Sequence, residues 1–288
     1  MELLSTLIGL QLLAISPVFG ELLWGRKIPF LTQSQSLITS TTKVQSSEIL
    51  TSRLPPVAVS VPEIARQVTV RILTEPGLGS GVIIDRQGQT YTVLTCYHVV
   101  ENSYYNQYTV LTSDGKSYPA QWLQSVQFPN LDLALVQFTS NQSYQVATID
   151  LQPLTTGELV YAAGFPNWYW PNPNSPLSTK DWGNKAYHLT VGKVGMLLAR
   201  SLPKGYQLGY TNEVENGMSG GPVLNQYGRL IGINGRLKYP FQGIDVFKFE
   251  DGTLPSEDLF QQMEALSWAI PISRFQKPQT PPVSETLF

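Results

Sequence analysis

The chain has 288 residues, one cysteine, two histidines and a formal net charge of −2, with charged residues at 14% against roughly 25% in typical domains. No basic stripe runs along it, which argues against a nucleic-acid partner, and a lone Cys96 excludes an intramolecular disulfide. The length exceeds one average domain and is enough to bury a sizeable core.

Residues 1–20 carry one charge, Glu2, and an apolar run from Leu7 to Ile15. They read as an export signal or a membrane anchor, so residues 3–20 offer a route to membrane association. Val18 and Gly20 suit cleavage; the missing positive charge before the run and the pair Arg26 and Lys27 after it suit an uncleaved anchor. Export is the expectation carried forward. Residues 21–61, rich in Ser, Thr, Gln and Pro, read as a flexible stalk. From Pro62 the pattern changes to short strands at 68–72, 81–84, 91–95, 108–111 and 133–138, spaced by turns of Gly, Asn and Asp. A second set begins at 159–163 and continues through 189–197, 206–211, 223–224 and 230–234 to 268–272. Within it, the segment 167–181 holds Trp168, Tyr169 and Trp170 among prolines and asparagines. It reads as a cover for a cleft, a partner contact, or a loop packed on its own sheet. Leu259, Phe260, Met263 and Leu266 stand at helical spacing and predict one amphipathic helix over 255–266, before a tail at 276–288.

The chemistry concentrates in Gly217-Met218-Ser219-Gly220-Gly221-Pro222. A serine alcohol needs a base to become a nucleophile, and the oxyanion it creates needs preorganised N–H donors. Gly217 can adopt backbone angles closed to other residues, so its N–H and that of Ser219 can form an oxyanion hole while the hydroxyl stays exposed. An ordinary turn between two strands makes the same string. His98 ends the strand-forming run 91–100 and is the candidate base; His188 opens a strand with nothing reactive around it. Asp132 precedes the apolar run 133–138, and an aspartate pressed on a core strand needs a partner, which His98 supplies. Its alternative role is a turn cap. Cys96, two residues from His98 on one strand, reads as a buried packing residue and not as a nucleophile.

Four segments resemble the motifs of trypsin-like serine peptidases of the chymotrypsin fold, and among them the peptidase domain of bacterial HtrA (Deg) proteins. They are Gly77-Leu78-Gly79-Ser80-Gly81, Thr95 to Val100, Asp132-Leu133-Ala134 and Asn216 to Pro222. The resemblance implies an all-β fold of two six-stranded antiparallel β-barrels within residues 62–275, at about 62–145 and 155–275, with the active site in the cleft between them and a helix near the C-terminus. It implies a His98–Asp132–Ser219 triad, an oxyanion hole of the Gly217 and Ser219 N–H groups, polypeptide substrates, no cofactor or metal, and an exported or membrane-anchored bacterial protein. Met218 stands where zymogen-activated members carry an aspartate, so no ion pair with a freshly cut N-terminus is expected. About seventy residues follow Ser219, too few for both the second barrel and a PDZ domain. Such peptidases add substrate to an edge strand after the nucleophile turn, which places Ile233, Asn234 and Gly235 as substrate contacts. Glu213, in the opposite pocket wall, either points inward to favour a basic side chain or faces solvent. A catalytically silent, peptide- or partner-binding module is the alternative to the peptidase.

Overall fold

The computed structural model describes residues 59–276, apart from positions 76, 104, 105 and 173. The expected signal or anchor, almost all of the stalk and nearly all of the tail lie outside the described residues. Among the described residues no helix is long and apolar enough to cross a membrane.

Helix α1 (Val61–Val68) opens this part of the chain, with a proline in its first turn, Glu63 near its N-terminus and Arg66 in its last turn. Each of these suits its position: proline has no N–H to lose at a helix start, and the charges oppose the helix dipole. It buries Ala65 and Val68, and the Thr69 hydroxyl donates to Ala65 O at 2.6 Å where the helix gives way to strand. Val68, read from sequence as the start of a strand, is therefore the last helical residue.

The first barrel comprises β1 (Thr69–Thr74), β2 (Leu78–Gln87), β3 (Thr90–Thr95), β4 (Tyr108–Leu111), β5 (Ser117–Trp122) and β6 (Ala134–Thr139). Its order is β1-β2-β3-β6-β5-β4, closed by β4 on β1, with every pair antiparallel. A four-residue helix, α2 (Tyr97–Val100), follows β3 directly. The second barrel uses β7 (Leu159–Gly164), then after a small hairpin of β8 (Trp168–Tyr169) and β9 (Leu177–Ser178) continues with β10 (His188–Leu202) and β11 (Tyr206–Tyr210). It ends with β12 (Pro222–Asn225), β13 (Leu230–Arg236), helix α3 (Glu257–Glu264) and β14 (Ser267–Pro271). The order β10-β11-β14-β13-β12-β7 also closes on itself. The two six-stranded antiparallel barrels expected from the motifs are thus present.

The period-two alternation of the strands divides the apolar residues between three cores. In β3, Tyr91 and Val93 point into the first barrel, whereas Leu94 points out to a layer shared with the second. In β14, Ala269 fills the second barrel and Trp268 and Ile270 join the shared layer. That layer holds Val82, Leu94, Leu135, Tyr206, Ile233 and Ile270. Because a fully buried side chain of this size contributes roughly 1.5–3 kcal/mol, the barrels are fused through a core of their own.

One expectation fails in the second barrel. β13 is not an edge strand: Ile233 pairs with Pro222 of β12 and with Ile270 of β14, and the Asn234 N–H bonds Gly221 O at 3.0 Å. Ile233 and Asn234 are buried to 1% and 0% exposure. The β12 side of β13 is open only from the half-buried Gly235 onward, past a register shift between Asn234 and Arg236.

Candidate active site

β3 ends at Thr95, and α2 then lifts His98 to the rim of the first barrel with its side chain 35% exposed. Asp132 precedes β6, which pairs with β3 residue for residue from Thr90↔Thr139 to Thr95↔Ala134. This register brings the two together. Asp132 Oδ2 lies 2.6 Å from His98 Nδ1, and Oδ1 accepts the His98 main-chain N–H at 2.9 Å. A carboxylate that grips both ring and backbone fixes the imidazole's tautomer and its tilt. Nδ1 carries the proton towards the carboxylate, leaving Nε2 without a partner among the described residues.

A third donor was not foreseen. The Tyr206 hydroxyl of β11, in the other barrel, donates to Asp132 Oδ2 at 2.6 Å, and the Asp132 N–H bonds Lys204 O at 3.0 Å. Burial alone would raise the Asp132 pKa, but hydrogen bonds and charge from His98, with the Tyr206 hydroxyl, hold it down to about 2. Tyr206 itself is buried, and burial with the nearby charge drives its own pKa well up, so it stays a donor. Gly235 makes room for it: a Cβ there would collide with the Tyr206 hydroxyl. The Arg236 guanidinium stacks 4.5 Å from the Tyr206 ring centre and bonds Pro203 O and Val246 O, both at 2.8 Å.

The turn 216–221 is held against the start of β2 and against β13. Ser219 O accepts the Ser80 N–H at 2.9 Å, and Gly220 N–H donates to Asn234 O at 2.8 Å. Gly220 has φ +85°, and a Cβ there would strike Ser80 O and Thr95 Oγ1. The two proposed oxyanion donors have no hydrogen-bond partner among the described residues, and each belongs to a peptide whose carbonyl is anchored. Asn216 O, on the peptide bearing the Gly217 N–H, accepts from Asn167 N–H at 2.7 Å; Met218 O, on the peptide bearing the Ser219 N–H, accepts from Gly221 N–H at 3.0 Å. A trans peptide sets its N–H opposite its C=O, so these bonds aim the donors. The Ser80 hydroxyl bridges the same turn, donating to Gly217 O and accepting from Phe165 N–H, both at 2.8 Å. Gly217 itself has φ +99°. Ser219 is half-buried, and its hydroxyl makes no hydrogen bond to the His98 ring in this structure; such contacts often tighten only with substrate.

Met218 is fully buried in the second barrel's core beside Val214 and Val223. Met218 thus sits among apolar residues and brings no charge to pair there. Glu213 faces solvent, 77% exposed, and pairs with Lys238 Nζ at 2.6 Å. The solvent-facing alternative for this residue is the observed one. His188 is exposed on β10. Cys96 is fully buried, and its thiol donates to Asn234 O at 3.0 Å. Cys96, His98 and Asp132 present ligand atoms within 4.8 Å of one another. A metal would need the thiolate, and burial, with the Asp132 charge, pushes the Cys96 pKa well up. An open groove of about 680 Å³ runs beside α2, lined by Tyr97, Trp122, Leu131 and Lys204 among others.

Comparisons with known proteins agree with this fold. Residues 79–233 match the trypsin-like peptidase domain. The chain is 32% identical over 166 residues to the serine protease Do-like HtrA of Bacillus subtilis, covering 56% of this chain and 34% of that protein. It is 29% identical over 167 residues to the periplasmic pH-dependent serine endoprotease DegQ of Escherichia coli, covering 58% and 33%. The matches thus span about a third of the length of these relatives. A solved serine endoprotease from Yersinia pestis shares the fold at TM-score 0.51 and 22% identity, over 75% of this chain and 64% of its own. The matched segment contains Ser80, His98, Asp132 and the whole 216–221 turn, and on that ground the chain belongs to the trypsin-like peptidase domain family.

Proposed function

We propose that the protein is a serine endopeptidase acting on polypeptides outside the cytoplasm. The observation that carries this reading is the buried Asp132 bonded to both His98 Nδ1 and the His98 backbone, with Nε2 unpartnered among the described residues, in a chain whose glycine-serine turn is anchored through its own carbonyls. In the first half-reaction Ser219 Oγ attacks the scissile carbonyl carbon while His98 Nε2 takes the hydroxyl proton. The oxyanion is met by the Gly217 and Ser219 N–H groups, and the C–N bond breaks as the imidazolium returns the proton to the departing amine. Water then attacks the acyl-enzyme by the same route in reverse, releasing the acid. Asp132 stabilises the imidazolium throughout and stays ionised, consistent with its lowered pKa. Substrate pairs with the open side of β13 from Gly235 onward, one step beyond the stretch Ile233–Asn234 that the barrel itself uses. A site outside the cytoplasm is in keeping with the periplasmic relative.

The test is labelling with a fluorophosphonate probe, beside Ser219→Ala and His98→Ala. The wild-type chain should label and cleave an unfolded protein, and both variants should be silent. A wild type that stays unlabelled where a control serine peptidase reacts would overturn the reading in favour of a silent binding module.

A further inference from the structure

Arg71 lies in the middle of β1 with no exposed surface. Burial lowers its pKa, with the charge of Asp181 pulling the other way, yet no carboxylate among the described residues comes within ion-pair distance of it. A buried guanidinium without a counter-ion is costly, and apolar residues of similar volume often replace buried charge at no loss of stability. Its hydrogen bonds therefore need accounting for. The two it makes both go to one residue of the other barrel: Nη1 donates to Thr179 O at 2.9 Å and Nη2 to Thr179 Oγ1 at 2.8 Å, while the buried Nε has no partner among the described residues, and the group lies 5.8 Å from the Phe165 ring centre. The planar fork fits this two-point grip in a way an ammonium cannot.

Thr179 stands at the root of the β8–β9 hairpin and holds the opposite strand. Its hydroxyl donates to Pro166 O, and its N–H donates to Asn167 O at 3.0 Å. Asn167 N–H in turn donates to Asn216 O at 2.7 Å, the carbonyl opposite the Gly217 N–H. The line Arg71, Thr179, Asn167, Asn216 is continuous, every link is a hydrogen bond, and it ends on one of the two oxyanion donors. Trp168, Tyr169 and Leu177, at the exposed face of the hairpin, take no part in it.

We propose that Arg71 is a positioning residue for the oxyanion hole, setting the direction of the Gly217 N–H through Thr179 and Asn167. The proposal rests on the serine-peptidase reading for its catalytic consequence, though the structural link can be measured without it. Complete loss of an oxyanion donor lowers kcat by roughly 100- to 1,000-fold. Misdirecting one donor while the Ser80 bridge persists should lower it by roughly 10- to 100-fold.

The experiment compares full-length wild type with Arg71→Met, Arg71→Lys and Thr179→Val. It measures kcat and KM on a peptide substrate, affinity for a peptide boronate, melting temperature, and the Gly217 amide resonance in glycine-selective ¹⁵N spectra, with Gly88 as a distant reference. Expected are a fall in kcat and in boronate affinity with KM little moved, a shifted Gly217 resonance beside an unmoved Gly88, and Arg71→Lys between wild type and Arg71→Met. Thr179→Val should show the same signature more weakly, because Nη1 keeps its bond to Thr179 O; it carries the test if Arg71→Met does not fold. Folded variants with wild-type kcat and an unmoved Gly217 resonance overturn the proposal, as does a lowered melting temperature with kcat intact. A wild type inert to the fluorophosphonate, with Gly217 still shifting in the variants, removes the peptidase reading and leaves the link in place.

Discussion

Replacing Tyr206 by Phe deletes one hydroxyl and keeps the ring that packs in the layer between the barrels. Asp132 is held from its ordinary value of 3.8 down to about 2, and at about 1.4 kcal/mol per unit this makes its ionised form worth about 2–3 kcal/mol to the folded state. Three donors share that stabilisation: the His98 ring at 2.6 Å, the Tyr206 hydroxyl at 2.6 Å and the His98 N–H at 2.9 Å. Removing one of them should return about 1 kcal/mol. A carboxylate whose folded pKa is depressed stabilises the fold above its unfolded pKa, and this contribution is lost as pH falls through about 2. The gap in unfolding free energy between wild type and Tyr206→Phe should therefore be wider at pH 7 than at pH 2 by roughly 0.5–1 kcal/mol. Urea titrations across that range measure it. A gap that stays constant from neutral to acid pH would show that Tyr206 does not act on the charge of Asp132, and the three-donor account would fail.

Two further outcomes follow from the same site. Gly220→Ala places a methyl against Ser80 O and Thr95 Oγ1 at φ +85°, so it should lower stability by about 2–4 kcal/mol and abolish fluorophosphonate labelling; an active, equally stable variant in denaturant titrations refutes the steric argument. Cys96, buried with a raised pKa, should resist a thiol reagent at pH 8 until urea unfolds the chain; rapid modification of the native protein would refute its placement.

The barrels were largely legible because most of their strands are short apolar runs. In β6, Ala134 and Val136 face the barrel interior and Leu135 the shared layer, so 134–136 reads as a continuous hydrophobic run, and β3 does the same at Val93 and Leu94. β5 escaped for the opposite reason: Ala120 is its only buried residue and Pro119 interrupts it. Helix α1 was missed although Ser60, Pro62 and Glu63 form a helix start, because Val68 to Ile72 dominates as a β-branched run. At the site, His98 and Asp132 follow from order and from the cost of burying a lone carboxylate. Tyr206 and Asn167 carry no such mark, since one is an ordinary strand tyrosine and the other acts through its backbone. Arg71 did carry one: a charge inside Val70-Arg71-Ile72 on a strand bound for the core demands a partner, though not which. The edge-strand expectation for Ile233 and Asn234 failed by one register step, because periodicity identifies a strand without counting its neighbours.

Closure of both barrels also limits what this protein can hold. Nearly every strand has its main-chain groups engaged by a neighbour on each side, and the open stretch after Asn234 is only a few residues long. On the serine-peptidase reading, a regular helix or sheet strand of a folded substrate has its own N–H and C=O groups engaged in the same way and nothing to exchange there. An exposed loop or an unfolded segment arrives with both kinds of group free, so the short gap in the β13 ladder would select for unpaired backbone before any side chain is read.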